Sequence, residues 1–286
     1  MVKVPALGAG DSEFESRHPE INRSFYMEPQ KEKFKPKSIF LLSSGPRTGS
    51  TWLAKALSRV ENTNTCIEIF NPNLNKEILS VEKNPKEYVH YVLKKIDQAK
   101  KDNKNFLFTS FLDYFNRIEV LSALSMVSDV LIFNYRDNIL HQWISFIKSY
   151  NTKQWQNKNL TNVIIHWSEK YFLDFKHDCD KVFDMIRVLS KSNLVIPTFN
   201  YEEIHSFKTD SEKIGHLNSK INQCGLEITD YSNIDLKKQN DYYNLKECFS
   251  NFDEFVNFKN EDSFKATFVK GEVCHPRYSR SIRKIR

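Results

Sequence analysis

The chain has 286 residues, 40% of them hydrophobic and 27% charged, with a formal net charge of +6. That length allows one large domain or two small ones. With 22 Phe, 12 Tyr and only 7 Gly, the composition excludes a disordered or fibrous chain. Cys66, Cys179, Cys224, Cys248 and Cys274 are scattered with no Cys-x-x-Cys pair. This excludes a zinc ribbon or redox motif and suits reduced thiols.

In chain order, residues 1–36 are polar and broken by Pro5, Pro19, Pro29 and Pro36. They predict an extended arm ahead of a single domain over residues 37–286. Met1 to Gly10 lacks the apolar run of a signal peptide. No stretch of about 18 apolar residues suggests a membrane span. A soluble, cytoplasmic protein with no membrane partner is the expectation. Ser38 to Ser43 reads as a buried strand, Gly45 to Gly49 as a turn, and Ser50 to Val60 as a helix with Leu53, Ala56, Leu57 and Val60 inward. A short strand follows at about Thr65–Phe70. Asn84-Pro85 opens a helix running to about Asp102, with Pro at the first helical position. Phe106–Ser110 and Val130–Asn134 are strand-like, and Tyr114–Val127 and Asn138–Tyr150 are helical. Leu160 to Leu189 reads as one long helix or two stacked ones. Leu194–Phe199 is a strand whose Pro197 suggests an edge. The polar, aromatic stretch after Gly225 resists assignment. Alternating strands and helices predict an α/β fold with a mainly parallel central sheet flanked by helices.

The segment Ser43-Ser-Gly45-Pro-Arg47-Thr-Gly49-Ser50-Thr51-Trp52 lies between a predicted strand and a predicted helix. Backbone N–H groups of such a turn, with the positive end of the helix, can hold an anion. Ser50 and Thr51 add hydroxyl donors, and Arg47 adds a planar, permanently charged fork. A nucleoside-triphosphate loop reads Gly-x-x-x-x-Gly-Lys-Ser/Thr. Here the glycines are one residue closer, and Ser50 stands where the lysine would follow Gly49. A dinucleotide fingerprint is also absent.

Pro46 to Trp52 resembles the 5′-phosphosulfate loop of sulfotransferases that use 3′-phosphoadenosine 5′-phosphosulfate. Further landmarks follow in order. Val130 to Asp137, with the helix carrying Ser145, is similar to that family's 3′-phosphate strand and helix. Tyr201-Glu202-Glu203 resembles its strand-ending Tyr-Glu-Asp. Phe268-Val-Lys270-Gly271 resembles its C-terminal Lys-Gly loop. The Arg136-to-Ser145 interval is one residue longer than usual, and Cys274-His-Pro-Arg277 replaces the usual Gly-Asp-Trp. The resemblance implies a P-loop-like sulfotransferase fold and transfer of a sulfonate to a hydroxyl or nitrogen of a small acceptor, without a metal. It implies that Arg47, Thr48, Gly49, Ser50 and Thr51 hold the 5′-phosphosulfate and that Trp52 and Tyr201 lie against the adenine. Arg136 and Lys270, helped by Ser145, Gly271 and Arg277, would meet the 3′-phosphate. Core packing for Trp52 and a plain salt bridge for Arg136 remain the alternatives.

The counterpart of the family's Lys-Thr-His motif is Phe108-Thr109-Ser110-Phe111, which has no His. Cys66-Ile67-Glu68-Ile69-Phe70-Asn71-Pro72 is similar to the Glu-bearing segment of the bacterial trehalose and nodulation-factor branch. Glu68 is therefore the expected base, with Arg47 stabilising charge. A ribose-binding or structural carboxylate is its alternative. Asp113, His141 and His166 stand in reserve. The acceptor itself is not readable. A small soluble metabolite or natural product is expected, a guanidinium-bearing toxin of the saxitoxin kind being one candidate. Competing functions are a P-loop kinase or nucleotide hydrolase and a non-catalytic anion-binding or nucleic-acid-binding protein. The basic tail (Arg277, Arg280, Arg283, Lys284 and Arg286) suits the last of these. No interleaving of aromatic and basic residues supports a nucleic-acid partner.

Overall fold

A computed structural model describes residues 34–80, 84–112, 118–155, 160, 162–191, 195–229 and 244–258. From Lys35 onward these belong to one unit. Its sheet holds β1 (Ser38–Ser43), β2 (Thr63–Cys66), β3 (Asn105–Ser110), β4 (Val130–Tyr135) and β5 (Thr198–Asn200). Every pairing is parallel, in the order β2-β3-β1-β4-β5. The helices that position the site are α1 (Ser50–Leu57), α2 (Pro85–Lys101), α3 (Ile118–Val127), α4 (Ile139–Thr152), α5 (Glu169–Ser190), α6 (Tyr201–Ser206) and α7 (Asp210–Ile221). The short helices α8 (Leu245–Cys248) and α9 (Phe252–Asn257) follow.

The central strands β1, β3 and β4 are buried on both faces, so they read as continuous apolar runs rather than alternating ones. Ile39, Leu41, Leu107 and Ile132 point to one face, where α1, α6 and α7 supply Leu53, Leu57, Ile204 and Leu217. Phe40, Leu42, Phe108 and Phe133 point to the other, against α2, α3, α4 and α5. Helices therefore flank both faces, the general architecture of Rossmann-like nucleotide-binding folds. No helix among the described residues is long and apolar enough to cross a membrane.

Sequence boundaries hold well where local chemistry sets them. α2 begins at Pro85 behind Asn84, whose side chain accepts the Glu87 N–H. β5 is an edge strand, with Pro197 immediately before it lending its carbonyl to Phe133 N–H. Three expectations need correction. The strand expected over Thr65–Phe70 is β2 at Thr63–Cys66, because the chain turns at Ile67, and Glu68 adopts φ 51°. The strand expected over Leu194–Phe199 is Thr198–Asn200. The long helix starts only at Glu169, capped by Ser168. Before it, Ile165 bridges to Phe249 and Trp167 N–H bonds to Asn251, which hold this stretch extended.

Candidate functional site

Because all five strands are parallel, their carboxyl ends share one edge. The connection leaving β1 runs toward β2, and the one leaving β4 runs toward β5, on opposite sides of the sheet. The crevice between the ends of β1 and β4 is thus a topological switch point, where open α/β sheets collect ligands. Residues 44–49 follow β1, and Arg136 follows β4.

The loop is built onto its neighbours. Ser44 N–H donates to the Asn134 carbonyl at 2.9 Å. Asn134 Nδ2 donates to the Thr48 carbonyl and hydroxyl at 3.0 and 3.1 Å. From α4, Gln142 Nε2 donates to the Pro46 carbonyl at 2.8 Å. Gly45 is packed so closely that a Cβ there would lie 3.1 Å from Cys179 Sγ. Arg47 and Gly49 take left-handed backbones, φ 65° and 81°. No side chain caps the start of α1 behind Gly49, and an uncapped helix amino end favours an anion. Buried polar atoms lie beside it: Ser43 Oγ, Ser44 Oγ and Trp52 Nε1 find no hydrogen-bond partner among the described residues.

Arg47 Nε donates to Ser145 Oγ at 2.9 Å, and Arg47 Nη1 to the Trp155 carbonyl. Ser145, expected beside Arg136 at a 3′-phosphate, thus meets the loop arginine. Arg136 is buried. Its guanidinium lies 4.5 Å from the centre of the Tyr201 ring, and its Nε donates to Glu202 Oε1 at 3.1 Å. Tyr201 in turn covers Gly49. Trp52 and Tyr201 meet through His205, whose ring lies 5.5 and 4.3 Å from theirs. Lys270, Gly271, Arg277 and the reserve base Asp113 lie outside the described residues.

Glu68 sits beyond β2 on the same sheet edge. Its N–H donates to Thr109 Oγ1 at 2.6 Å, and its Oε2 accepts from Asn71 Nδ2 at 2.7 Å. A non-glycine residue with positive φ is uncommon and concentrates at functional sites. Of the other reserve bases, His141 lies in the first turn of α4, its N–H bonded to Asn138. His166 faces Ser250 and Asn251, both at 3.3 Å, so it belongs to the packing that carries α8 and α9.

The sequence reading missed Glu202, Asn134 and Gln142. Glu202 Oε2 also accepts the Asp137 N–H at 2.9 Å, so one carboxylate spans the end of β4 and the approach to α4. Burial first, then the negative charges of Glu202 and Glu203, push the Asp137 carboxyl above its usual range, partly offset by an Asn200 hydrogen bond. Among the described residues no group of three or more His, Cys, Asp or Glu is placed to hold a metal ion. Compared with protein-family models and with curated proteins, the chain matches none.

Proposed function

We propose that the chain is a sulfotransferase that transfers a sulfonate from 3′-phosphoadenosine 5′-phosphosulfate to a hydroxyl or nitrogen of a small acceptor. The observation that carries this reading is the placement of an arginine directly after each of the two strands that bound the switch point, Arg47 in the loop after β1 and Arg136 after β4. Two arginines suit two separated phosphate groups better than a single triphosphate chain, whose usual loop lysine is here Ser50.

The donor supplies an activated sulfonate on a phosphate leaving group. The loop amides and Arg47 stabilise the negative charge that develops on that phosphate, a preorganised electrostatic role. Glu68, oriented by Asn71, takes the acceptor proton. Thr109 holds the Glu68 backbone and so keeps the carboxylate on the sheet edge. Arg136, fixed by Tyr201 and Glu202, meets the 3′-phosphate.

Calorimetry tests the assignment. Adenosine 3′,5′-bisphosphate should bind without metal, and more tightly than adenosine 5′-monophosphate by at least about tenfold, the scale of one charge-assisted contact. Tight binding of a nucleoside triphosphate with Mg²⁺, and none of the bisphosphate, would establish a kinase or hydrolase instead. A screen of small acceptors with labelled donor then identifies the second substrate.

A further inference from the structure

Away from the crevice, a buried pair of reactive side chains joins α4 to α8. Lys148 is completely buried, which is rare for a lysine. Its Nζ donates to Cys248 Sγ at 3.4 Å, and the cysteine is buried as well. This is not the lysine's only interaction, but at that distance nitrogen and sulfur are in direct contact. We propose that Lys148 and Cys248 form a redox modification site, at which hydrogen peroxide brings about a covalent bond between Nζ and Sγ. The bond is independent of whichever reaction the crevice performs.

The chemistry needs a neutral amine beside an oxidised sulfur. Burial pulls Lys148 below its ordinary range, more than the neighbouring sulfur raises it, so the amine loses its proton more readily than an exposed lysine does. The sulfur first attacks one oxygen of peroxide. An S–O bond forms, the O–O bond breaks, and the departing oxygen leaves as water with the thiol proton, which makes Cys248 a sulfenic acid. The Lys148 amine then attacks that sulfur. An N–S bond forms, the S–O bond breaks, and the hydroxyl leaves as water with one amine proton. Sulfur has lost two electrons and peroxide has gained them.

The thiol is reached by local opening. α8 has only four residues, too few to hold a helix unaided. Two backbone bonds help to keep it in place: Ile165 N–H to the Cys248 carbonyl at 2.8 Å, and Ser250 N–H to the Ile165 carbonyl at 2.9 Å. Such a segment opens at a lower free energy than the central sheet. Peroxide meets the thiol in the open state, and reclosure delivers the sulfenic acid to the amine. Lys148 lies three residues after Ser145, so the bond fastens α8 to the helix whose serine accepts from Arg47.

The experiment treats the full-length chain with hydrogen peroxide and maps its peptides by mass spectrometry. The expected product is a pair of peptides linked through Lys148 and Cys248, lighter than their sum by two hydrogens, which dithiothreitol separates again. The linked chain should melt roughly 5–10 °C higher, because the bond joins residues 100 positions apart. Dimedone, which traps sulfenic acids, should label Cys248 in Lys148→Met, which has a similar length and no amine, and leave the wild type unlabelled. Recovery of wild-type Cys248 as a free thiol, a disulfide or a sulfinic acid overturns the proposal. Equal dimedone labelling of the wild type and Lys148→Met also overturns it. The wild-type peptide map decides the matter if Lys148→Met does not fold.

Discussion

Gly49 and Tyr201 touch where no side chain has room: a Cβ on Gly49 would lie 2.7 Å from Tyr201 Cδ2. The glycine is left-handed at φ 81°, so it is required both for conformation and for clearance. Gly49→Ala should therefore cost stability twice, through a left-handed backbone of roughly 1–2 kcal/mol and through displacement of the Tyr201 ring. A lowered melting temperature with loss of bisphosphate binding is the expected pair of results. Gly49→Ala combined with Tyr201→Ala relieves only the clash and should recover part of the stability. An unchanged melt in the single variant would mean that the ring yields freely.

Ser145 lends its hydroxyl to Arg47, not to the arginine after β4. If Arg47 serves the phosphate they share, as proposed, Ser145→Ala should weaken adenosine 5′-monophosphate and adenosine 3′,5′-bisphosphate by the same factor. Loss confined to the bisphosphate would return Ser145 to the 3′-phosphate.

Glu68 combines a strained backbone with an oriented carboxylate. Glu68→Gln should lower turnover by about 10²–10⁴-fold, the usual scale for a lost general base, with bisphosphate affinity unchanged. Glu68→Gly separates the two features. It removes the positive-φ strain, so the melting temperature should hold or rise while turnover stays as low as in Glu68→Gln. Full turnover in Glu68→Gln would exclude the carboxylate from the chemistry.

Asp129 ties together the starts of β1 and β4. Its Oδ2 accepts from Ser38 N–H at 2.8 Å and Ser38 Oγ at 2.7 Å, and it pairs with Lys100 at 3.0 Å. Burial pushes this carboxyl upward. The Ser38 and Lys100 contacts together outweigh it and hold the group below its ordinary value of 3.8. A folded-state value below the unfolded one means the unfolded chain binds the proton more readily. The contribution is then present above the ordinary value and is lost as pH falls through the folded one. Asp129→Asn should lower stability near neutral pH and lose less than the wild type does on acidification. Equal acid sensitivity in both, measured by denaturant melts, would contradict this.

Much of the fold could be read locally. β1, the loop and the start of α1 are bounded by an uninterrupted apolar run, by glycines and by helical spacing, all within 20 residues or so of chain. The same holds for β4 and for the Asn84-Pro85 start of α2. The failures came where distant partners decide. Ile69 and Phe70 are buried as a strand's residues would be, yet the chain turns there: Asn71 N–H bonds back to the Glu68 carbonyl, while Ile69 N–H reaches the Thr109 carbonyl of β3. The helix expected from Leu160 does not begin there: Phe249 and Asn251, some 84 residues away, hold Ile165 and Trp167 outside any helix. In the candidate site, Arg47, Gly49 and Arg136 were visible as residue types in context. That Arg47 meets Ser145, at a separation of 98 residues, and that Glu202 fixes Arg136 are tertiary facts with no local signature.

The succession Gly49, Tyr201, Arg136, Glu202 also sets a rule for anyone recombining this chain. Its members come from three separate segments, yet each rests on the next. A chimera that imported a foreign loop over residues 44–52 with any side chain at position 49 would shift the tyrosine and, through it, re-aim an arginine more than 80 residues away in sequence. The transferable unit is therefore discontinuous: the loop can be exchanged only together with residues 134–138 and 200–202.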